Sequence, residues 1–356
     1  MTRGAREGLL ARLRTDGPMN VAEYMRFRLA DPETGYYLTQ EPFGAGGDFV
    51  TAPEISQMFG ELLGLWLAQV WLDQGAPESF LLVEMGPGRG TLMADALRAA
   101  GRVPGFLKAA RLQLIEISPR LRALQAGKLA AFAPAFAADF AELPADGPLL
   151  LIANELFDAL PIRQFQRAGG AWRERLIGLA PEGDAPRFGL GPPVEAAGAP
   201  ANAPEGAIFE ASPESLRLAA RIGARLARSG GAALWIDYGH AGPALGDTFQ
   251  ALRRHAFVDV LDLEGPADLT AHVDFTALRA AASGAGARAW PLRNQGDLLE
   301  ALGIGARAEA LARANPARAG RIAAERLRLT APDQMGRLFK ALAVTGPEAP
   351  APPGFG

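Results

Sequence analysis

Three glycines at alternate positions, Gly86, Gly88 and Gly90, follow closely on an acid, Glu84, that ends the apolar run Leu81-Leu-Val. A helix-like stretch from Thr91 to Ala100 comes next, and then a second apolar run, Leu112-Gln-Leu-Ile115, closed by Glu116. Strand, tight turn, helix and second strand form a unit in which the turn lets a ligand approach the backbone. The helix N-terminus offers unpaired N–H groups to a carboxylate or phosphate. A carboxylate at the tip of the second strand suits a ribose diol, because it accepts hydrogen bonds from both hydroxyls. The chemistry on offer is recognition of a nucleoside.

The spacing then sorts the nucleotide ligands. A dinucleotide turn would need glycine at position 91, where Thr91 stands, and a P-loop would need a lysine near the turn, where there is none. Glu-x-Gly-x-Gly-x-Gly resembles the first motif of class I S-adenosylmethionine (AdoMet)-dependent methyltransferases. On that resemblance Glu84, Gly86, Pro87, Gly88, Gly90, Glu116 and Ile117 are the expected cofactor contacts. The plain alternative is a glycine-rich turn without a ligand, and the two strand-end acids count against it. Further polar residues close predicted strands: Asp139 after Ala135–Ala138, Asn154-Glu155 after Leu149–Ala153, and Asp237 at the end of Ala232–Asp237. In an open parallel sheet such ends share one rim, where ligands bind. Asp139 and Asn154 therefore join the expected contacts, since AdoMet presents an amine, ribose hydroxyls, an adenine amino group and a sulfonium cation, all suited to acceptors.

The segment Leu151-Ile-Ala-Asn-Glu-Leu-Phe-Asp-Ala-Leu-Pro161 follows the fourth predicted strand. If a helical turn starts at Glu155, then Glu155 and Asp158 lie three apart on one face. Two carboxylates so placed could grip a guanidinium by its fixed fork of donors, which makes them the candidate catalytic pair. The alternative is that both cap a helix N-terminus. Asp48, Thr51, Pro53 and Glu54 fall where the N-terminal region could fold over the cofactor. His272 and Asp274 could line a substrate pocket, although a loop histidine satisfied by its neighbours is the plainer reading.

These residues need a frame. The order Phe80–Glu84, helix, Arg111–Ile117, helix opening at Ser118-Pro119, Ala135–Ala138, Leu149–Ala153 predicts a parallel sheet covered on both faces. Before it lie helical spacing over residues 5–30, broken at Gly17-Pro18, and a long apolar helix from Glu54 to Gln74. After Pro161, Ile162–Arg167 and Trp172–Gly178 alternate around Gly169-Gly170 and predict a β-hairpin. Leu179–Gly206 lacks periodicity and reads as a surface loop. Ser212-Pro213-Glu214 caps a helix running to Arg228, Ala232–Asp237 is a fifth strand, and Asp259–Phe275 is a polar loop. A strand-like Ala287–Leu292, amphipathic helices from Asp297 to about Leu327 and a strand-like Leu338–Val344 follow. The expected division is an N-terminal helical lid or substrate region (1–78), the AdoMet-binding Rossmann-like half (79–161), an insertion of hairpin, loop and helix on the substrate side (162–231), and the rest of the core with C-terminal helices (232–350).

Composition is that of an ordinary globular chain: 356 residues, 49% hydrophobic, 21% charged, net charge −3. A near-neutral balance argues against general nucleic-acid binding, which needs a basic face. Without cysteine there is no disulfide framework or thiolate site, and His240, His255 and His272 do not form a zinc motif, so no metal is expected. No run is long enough for a membrane span. The opening residues read as neither a signal nor a transit peptide, so a cytoplasmic protein of bacterial type is expected.

The longer motifs carry a family resemblance. Gly47-Asp-Phe-Val-Thr-Ala-Pro-Glu-Ile-Ser-Gln-Met-Phe-Gly-Glu61, Glu84-Met-Gly-Pro-Gly-Arg-Gly-Thr-Leu92, Glu116-Ile-Ser-Pro119, Asn154-Glu-Leu-Phe-Asp-Ala-Leu-Pro161, Asp237-Tyr-Gly-His240 and Asp268-Leu-Thr-Ala-His-Val-Asp-Phe275 are similar to the MidA family, with the match reaching Met335-Gly-Arg-Leu-Phe-Lys340. This is the family of the mitochondrial complex I assembly methyltransferase. The resemblance implies an α/β class I AdoMet-dependent methyltransferase fold with an elaborated substrate region. For the mitochondrial members it implies symmetric arginine dimethylation of a complex I core subunit, hence a protein substrate. A small-molecule O- or N-methyltransferase, and an assembly factor that keeps AdoMet binding without turnover, remain open.

Overall fold

A computed structural model describes residues 3–39, 51–183, 185–242 and 244–356. The chain divides into two compact units. One comprises Met1–Phe49, Phe157–Arg217 and His240–Ala277, and the other Val50–Leu156, Leu218–Gly239 and Leu278–Gly356.

The second unit is built on strands Phe80–Met85 (β1), Ala110–Ile115 (β2), Ala135–Ala137 (β3), Leu149–Asn154 (β4), Gly231–His240 (β5) and Phe339–Thr345 (β6). They lie in the order β6–β5–β4–β1–β2–β3, and all neighbours are parallel except β6, which runs antiparallel to β5. β1, β4 and β5 are near-continuous apolar runs because both of their faces are covered. The chain moves outward from β1 through β2 to β3, then returns to lay β4 on the other side of β1. That reversal opens a crevice at the carboxyl end of β1, where open α/β sheets bind ligands.

Three helices frame that crevice: Gln57–Asp73 (α1), Thr91–Ala100 (α2) and Pro119–Lys128 (α3). The long helix expected from Glu54 is interrupted. Ala52–Ile55 forms a separate turn, Ser56 is extended, and its Oγ accepts from the Met58 amide to cap α1. Glycine inside a helix costs about 1 kcal/mol relative to alanine, yet α1 carries Gly60 and Gly64. A β-carbon at Gly64 would sit 2.2 Å from the Ala96 carbonyl oxygen, and one at Gly60 would sit 2.9 Å from that of Leu92. The two glycines let α1 lie directly on the backbone of α2. Around that contact Phe59, Leu63, Trp66, Phe80, Met93 and Phe106 close the core of this unit.

On the same helix Glu61, 5% exposed, holds two guanidiniums, Arg98 of α2 at 2.8 Å and Arg307 at 2.7 Å. Arg307 belongs to the helix Ile304–Ala314, so one buried carboxylate ties a C-terminal helix to α2. A buried charge is tolerable only when paired in this way.

The first unit has its own core. Helices Arg3–Thr15 and Val21–Ala30 lay Leu9, Tyr24, Met25 and Leu29 among Tyr36, Ile162, Ile177 and Leu269. The expected hairpin is present as Arg163–Ala168 and Ala171–Leu179, turning on Gly169 and Gly170 at φ +64° and +73°. Both glycines take the left-handed values that a two-residue hairpin turn requires.

Three expectations need correction. Leu179–Gly206 is not all loop: Pro186–Pro193 pairs antiparallel with Ala171–Leu179. Its prolines and glycines hide a strand signal, and such residues are tolerated where only one edge of a strand is paired. Asp259–Phe275 contains the buried strand Asp268–Thr270, which pairs with Gln250–Arg253. The four expected segments also do not each stand as one unit. The range 1–78 is cut near Val50 because α1 packs on α2, and 162–231 is cut within the helix Pro213–Ser229.

Gly64→Ala should lower the unfolding free energy by about 1–3 kcal/mol, the scale for forcing extra atoms into a packed interior. Denaturant titration checks this, and unchanged stability would mean that α1 and α2 separate at no cost.

Candidate cofactor site

The glycine turn stands at the mouth of the crevice. Gly86, Gly88 and Gly90 all have positive φ, at +63°, +50° and +72°, so the chain between β1 and α2 follows a path closed to most side chains. Gly90 is the residue that precedes α2, and its carbonyl accepts from the Ala94 amide. Gly90 has no side chain with which to cap this helix, and of the amides in its first turn that of Met93 faces the Glu84 carboxylate.

Glu116 follows β2 and is 7% exposed. Its Oε1 accepts from the Ser118 amide at 2.8 Å and its Oε2 from Gln125 Nε2 at 3.2 Å. The Ile117 amide also bonds this carboxylate, and of its roughly four acceptor sites at least one is left for a ribose hydroxyl. Beside it Ile117 is 47% exposed, an apolar surface next to this carboxylate. Burial pushes the Glu116 carboxyl up, against the hydrogen bonds from Ser118 and Gln125.

Glu84, 3% exposed, is the last residue but one of β1, opposite Leu114 and Ile152. Burial pushes it up to about 8, with the Met93 amide and the Lys128 charge pulling down and Glu116 adding to the rise. Among the described residues its Oε2 is buried without a hydrogen-bond partner, as is Asn154 Oδ1 at the end of β4. Buried acceptors of this kind require donors, and AdoMet brings donors in its amine, hydroxyls and adenine amino group. The residues therefore fit the cofactor. AdoMet supplies a methyl group on a positively charged sulfur, which leaves as a neutral thioether.

The other rim residues differ in their commitments. Asp237 is fully buried, and its Oδ2 accepts from the Leu156 amide at 3.1 Å. Asp139 is largely exposed, pairs with Arg221 at 2.8 Å and caps the short turn Phe140–Glu142 through the Ala141 amide. Protein partners thus account for Asp139, and the Arg221 hydrogen bond holds its carboxyl below the usual range. Glu54 Oε1 accepts from Thr91 Oγ1 at 2.6 Å, and Lys128 Nζ donates to the same hydroxyl at 2.7 Å. Glu54 is therefore tied to the first residue of α2. Thr51 precedes the turn Ala52–Ile55, which has Pro53 near its start, while Asp48 lies outside the described residues.

Glu155 does not begin a helix, and no helical face is shared with Asp158. Its amide still donates to Ile236 of β5 at 2.9 Å, so the chain remains bound to the sheet when it turns. At φ +51° Glu155 is left-handed, a conformation costing a residue with a β-carbon about 1–2 kcal/mol. Its Oε1 accepts from the Ala52 amide at 3.0 Å and from Asn154 Nδ2 at 2.9 Å. The division between the two units falls after Leu156.

In the first unit Asp158 is 6% exposed and its carbonyl accepts from the Ala271 amide at 3.0 Å. Tyr37 Oη donates to Asp268 Oδ1 at 2.8 Å, and burial, then the charges of Asp268 and Asp158, raise that phenol well above its ordinary range. The His272 amide donates to Thr248 Oγ1 at 2.9 Å. Burial, and then His240, holds its imidazole below the ordinary value, so it is neutral near pH 7. Asp274 caps the helix Phe275–Gly284 through the Ala277 amide at 3.0 Å.

Sequence reading missed Gln125. Leu121, Gln125 and Leu129 recur every fourth residue and are all buried. An amide in an otherwise apolar stripe was the available signal.

A sheet with this switch point, a glycine turn and strand-end acids is the frame of a class I AdoMet-dependent methyltransferase. Residues 62–291 match the family described as "Putative S-adenosyl-L-methionine-dependent methyltransferase". The chain is 35% identical to the mitochondrial protein arginine methyltransferase NDUFAF7 of Danio rerio, over 94% of this chain and 85% of that protein. It is 38% identical to the protein of the same name from Mus musculus, over 85% of this chain and 75% of that one. A crystal structure from Burkholderia thailandensis bound to S-adenosyl-homocysteine superposes with a TM-score of 0.85 at 28% identity, covering 96% of this chain and 92% of the other. The chain belongs to this family, the MidA-like methyltransferases, and is an AdoMet-dependent methyltransferase. The curated relatives are mitochondrial by name, and the bacterial, cytoplasmic setting expected from the opening residues gains no support from them. Among the described residues no helix is long and apolar enough to cross a membrane, and no group of acids and histidines could hold a metal.

Two outcomes follow. Glu84 binds its proton more tightly when folded than a carboxyl at its ordinary value of 4.5. The folded chain then carries an extra proton between that value and about 8, and stability from this group falls as pH rises through that window. Melting curves of Glu84→Gln should therefore gain on wild type from pH ~5 to ~8 and level off above; parallel curves would show a freely ionised Glu84. Glu116→Ala should weaken S-adenosylhomocysteine binding by about 1–3 kcal/mol in calorimetry, the scale for unpairing buried groups. Unchanged affinity with a collapsed melting temperature would make Glu116 structural.

Proposed function

We propose that this methyltransferase acts on arginine side chains of a protein, with the symmetric dimethylation and complex I-type target that the family resemblance implies. The names of the curated relatives support an arginine acceptor. The observation that carries the reading within the chain is Glu155, a strained carboxylate at the end of β4 on the rim that holds the cofactor residues. Strain at a non-glycine residue beside a binding rim is retained where it serves a function. Glu84, Gly86, Pro87, Gly88, Gly90, Glu116, Ile117 and Asn154 are the proposed cofactor contacts. Asp139 joins them on its strand-end position alone.

A guanidinium is a poor nucleophile, because its lone pairs are delocalised and it stays protonated at neutral pH. Methylation forms a nitrogen–carbon bond as the carbon–sulfur bond breaks, the sulfur keeps the electron pair and leaves as a neutral thioether, and the attacking nitrogen sheds its proton to water. A carboxylate that holds the other nitrogens concentrates positive charge on them and aligns the free one with the methyl group. Glu155 is assigned that role from its place after β4. Asp158 is assigned a second acceptor contact from its sequence position and burial. His272 and Asp274, with Thr51, Pro53 and Glu54, are candidates for the substrate side.

Labelled AdoMet incubated with the protein and a lysate should yield a labelled protein whose digest contains dimethylarginine. Label confined to small molecules would overturn the reading. Glu155→Gln and Asp158→Asn should each lower transfer at least ~10²-fold, the usual effect of removing one electrostatic stabiliser, while S-adenosylhomocysteine binding stays near wild type. Equal losses in binding and transfer would move these residues to the cofactor.

A further inference from the structure

Gln125 occupies an unusual place. It lies on α3, fully buried, between an apolar neighbour one turn before and another one turn after, Leu121 and Leu129. Its Nε2 donates to the Gly88 carbonyl at 2.7 Å and to Glu116 Oε2 at 3.2 Å, so one –NH₂ group spans the glycine turn and the strand-end acid. The fit is close, since a β-carbon at Gly90 would lie 3.5 Å from Gln125 Cγ. Its own Oε1 is buried without a hydrogen-bond partner among the described residues. An unsatisfied carbonyl oxygen carries a cost that an apolar residue in this stripe would avoid.

We infer that Gln125 is a positioning residue for the cofactor, setting the spacing between the Gly88 turn and the Glu116 carboxylate and so tuning recognition of the ribose diol. Ser118 holds one oxygen of Glu116 and Gln125 the other. These donors sit on opposite oxygens and, with the Ile117 amide, fix the carboxylate plane. Without the amide, Glu116 Oε2 and the Gly88 carbonyl face each other as two acceptors with no hydrogen between them, and the carboxylate rotates. The inference rests on Glu116 being the ribose acid.

A two-by-two binding comparison tests it. Calorimetry would measure S-adenosylhomocysteine and its 2′-deoxy analogue against wild type and Gln125→Met, which keeps the length and removes the donors. Wild type should bind the 2′-deoxy analogue ~10-fold more weakly, as expected for a lost hydrogen bond to a charged group. Gln125→Met should bind S-adenosylhomocysteine ~10-fold more weakly than wild type, and its penalty for the missing hydroxyl should shrink to under ~3-fold. If wild type shows no penalty, Glu116 is not the ribose acid and the inference falls with it. If both proteins show the same penalty, Glu116 stands and the role of Gln125 is overturned, since a merely structural amide would weaken both ligands alike. Should Gln125→Met fail to fold, Gln125→Asn gives the same comparison with a carboxamide one methylene too short to reach both acceptors.

Discussion

The approach of α1 to α2 sets the rest of the methyltransferase unit. Helix axes usually stand 8–10 Å apart because side chains keep them so. Gly60 and Gly64 remove that spacer where α1 meets Leu92 and Ala96. With its backbone fixed against α1, α2 has little freedom to slide, and the glycine turn that feeds it inherits that position. Glu61 reinforces the arrangement from the same helix by holding Arg98. A cofactor site needs its donors held within a fraction of an ångström, and this packing holds α2 and the turn before it in place.

Around the crevice the balance is electrostatic. The rim gathers carboxylates, and burial pushes Glu84 and Glu116 toward their neutral forms. Lys128 offsets part of this, since its charge pulls Glu84 down and its ammonium reaches Thr91 Oγ1. Burial depresses Lys128 in turn, and Glu54 raises it. Such a rim is better matched to a positively charged ligand than to a phosphate, in keeping with a sulfonium cofactor rather than a dinucleotide.

Much of this was legible in the sequence. The βα order, the glycine turn and the strand-end acids depend on local patterns, and Phe80–Met85, Leu149–Asn154 and Gly231–His240 stand within a few residues of their expected places. What failed depended on partners distant in sequence. Glu155 and Asp158, three apart, suit a helix, but the bond from the Glu155 amide to Ile236 keeps the chain on the sheet, and no local pattern announces it. Pro186–Pro193 becomes a strand because Ala171–Leu179 offers an edge, against the preference of its own prolines and glycines. Gln125 was hidden for another reason: its significance is a geometric relation to Gly88 and Glu116, and periodicity records only that it faces inward.

The last strand has a consequence for synthesis. β6 pairs along β5 from Ala232 to Tyr238, and Trp66 Nε1 donates to the Pro353 carbonyl at 3.1 Å, across 287 positions. The edge of β5 that β6 will cover is therefore open while more than a hundred later residues are still being added on the ribosome. Open apolar strand edges are prone to pair with other chains. At ~5–20 residues per second the exposure lasts on the order of ten seconds. Over that interval the nascent sheet depends on chaperones or its own weak contacts, until β6 and the residues up to Pro353 have been added.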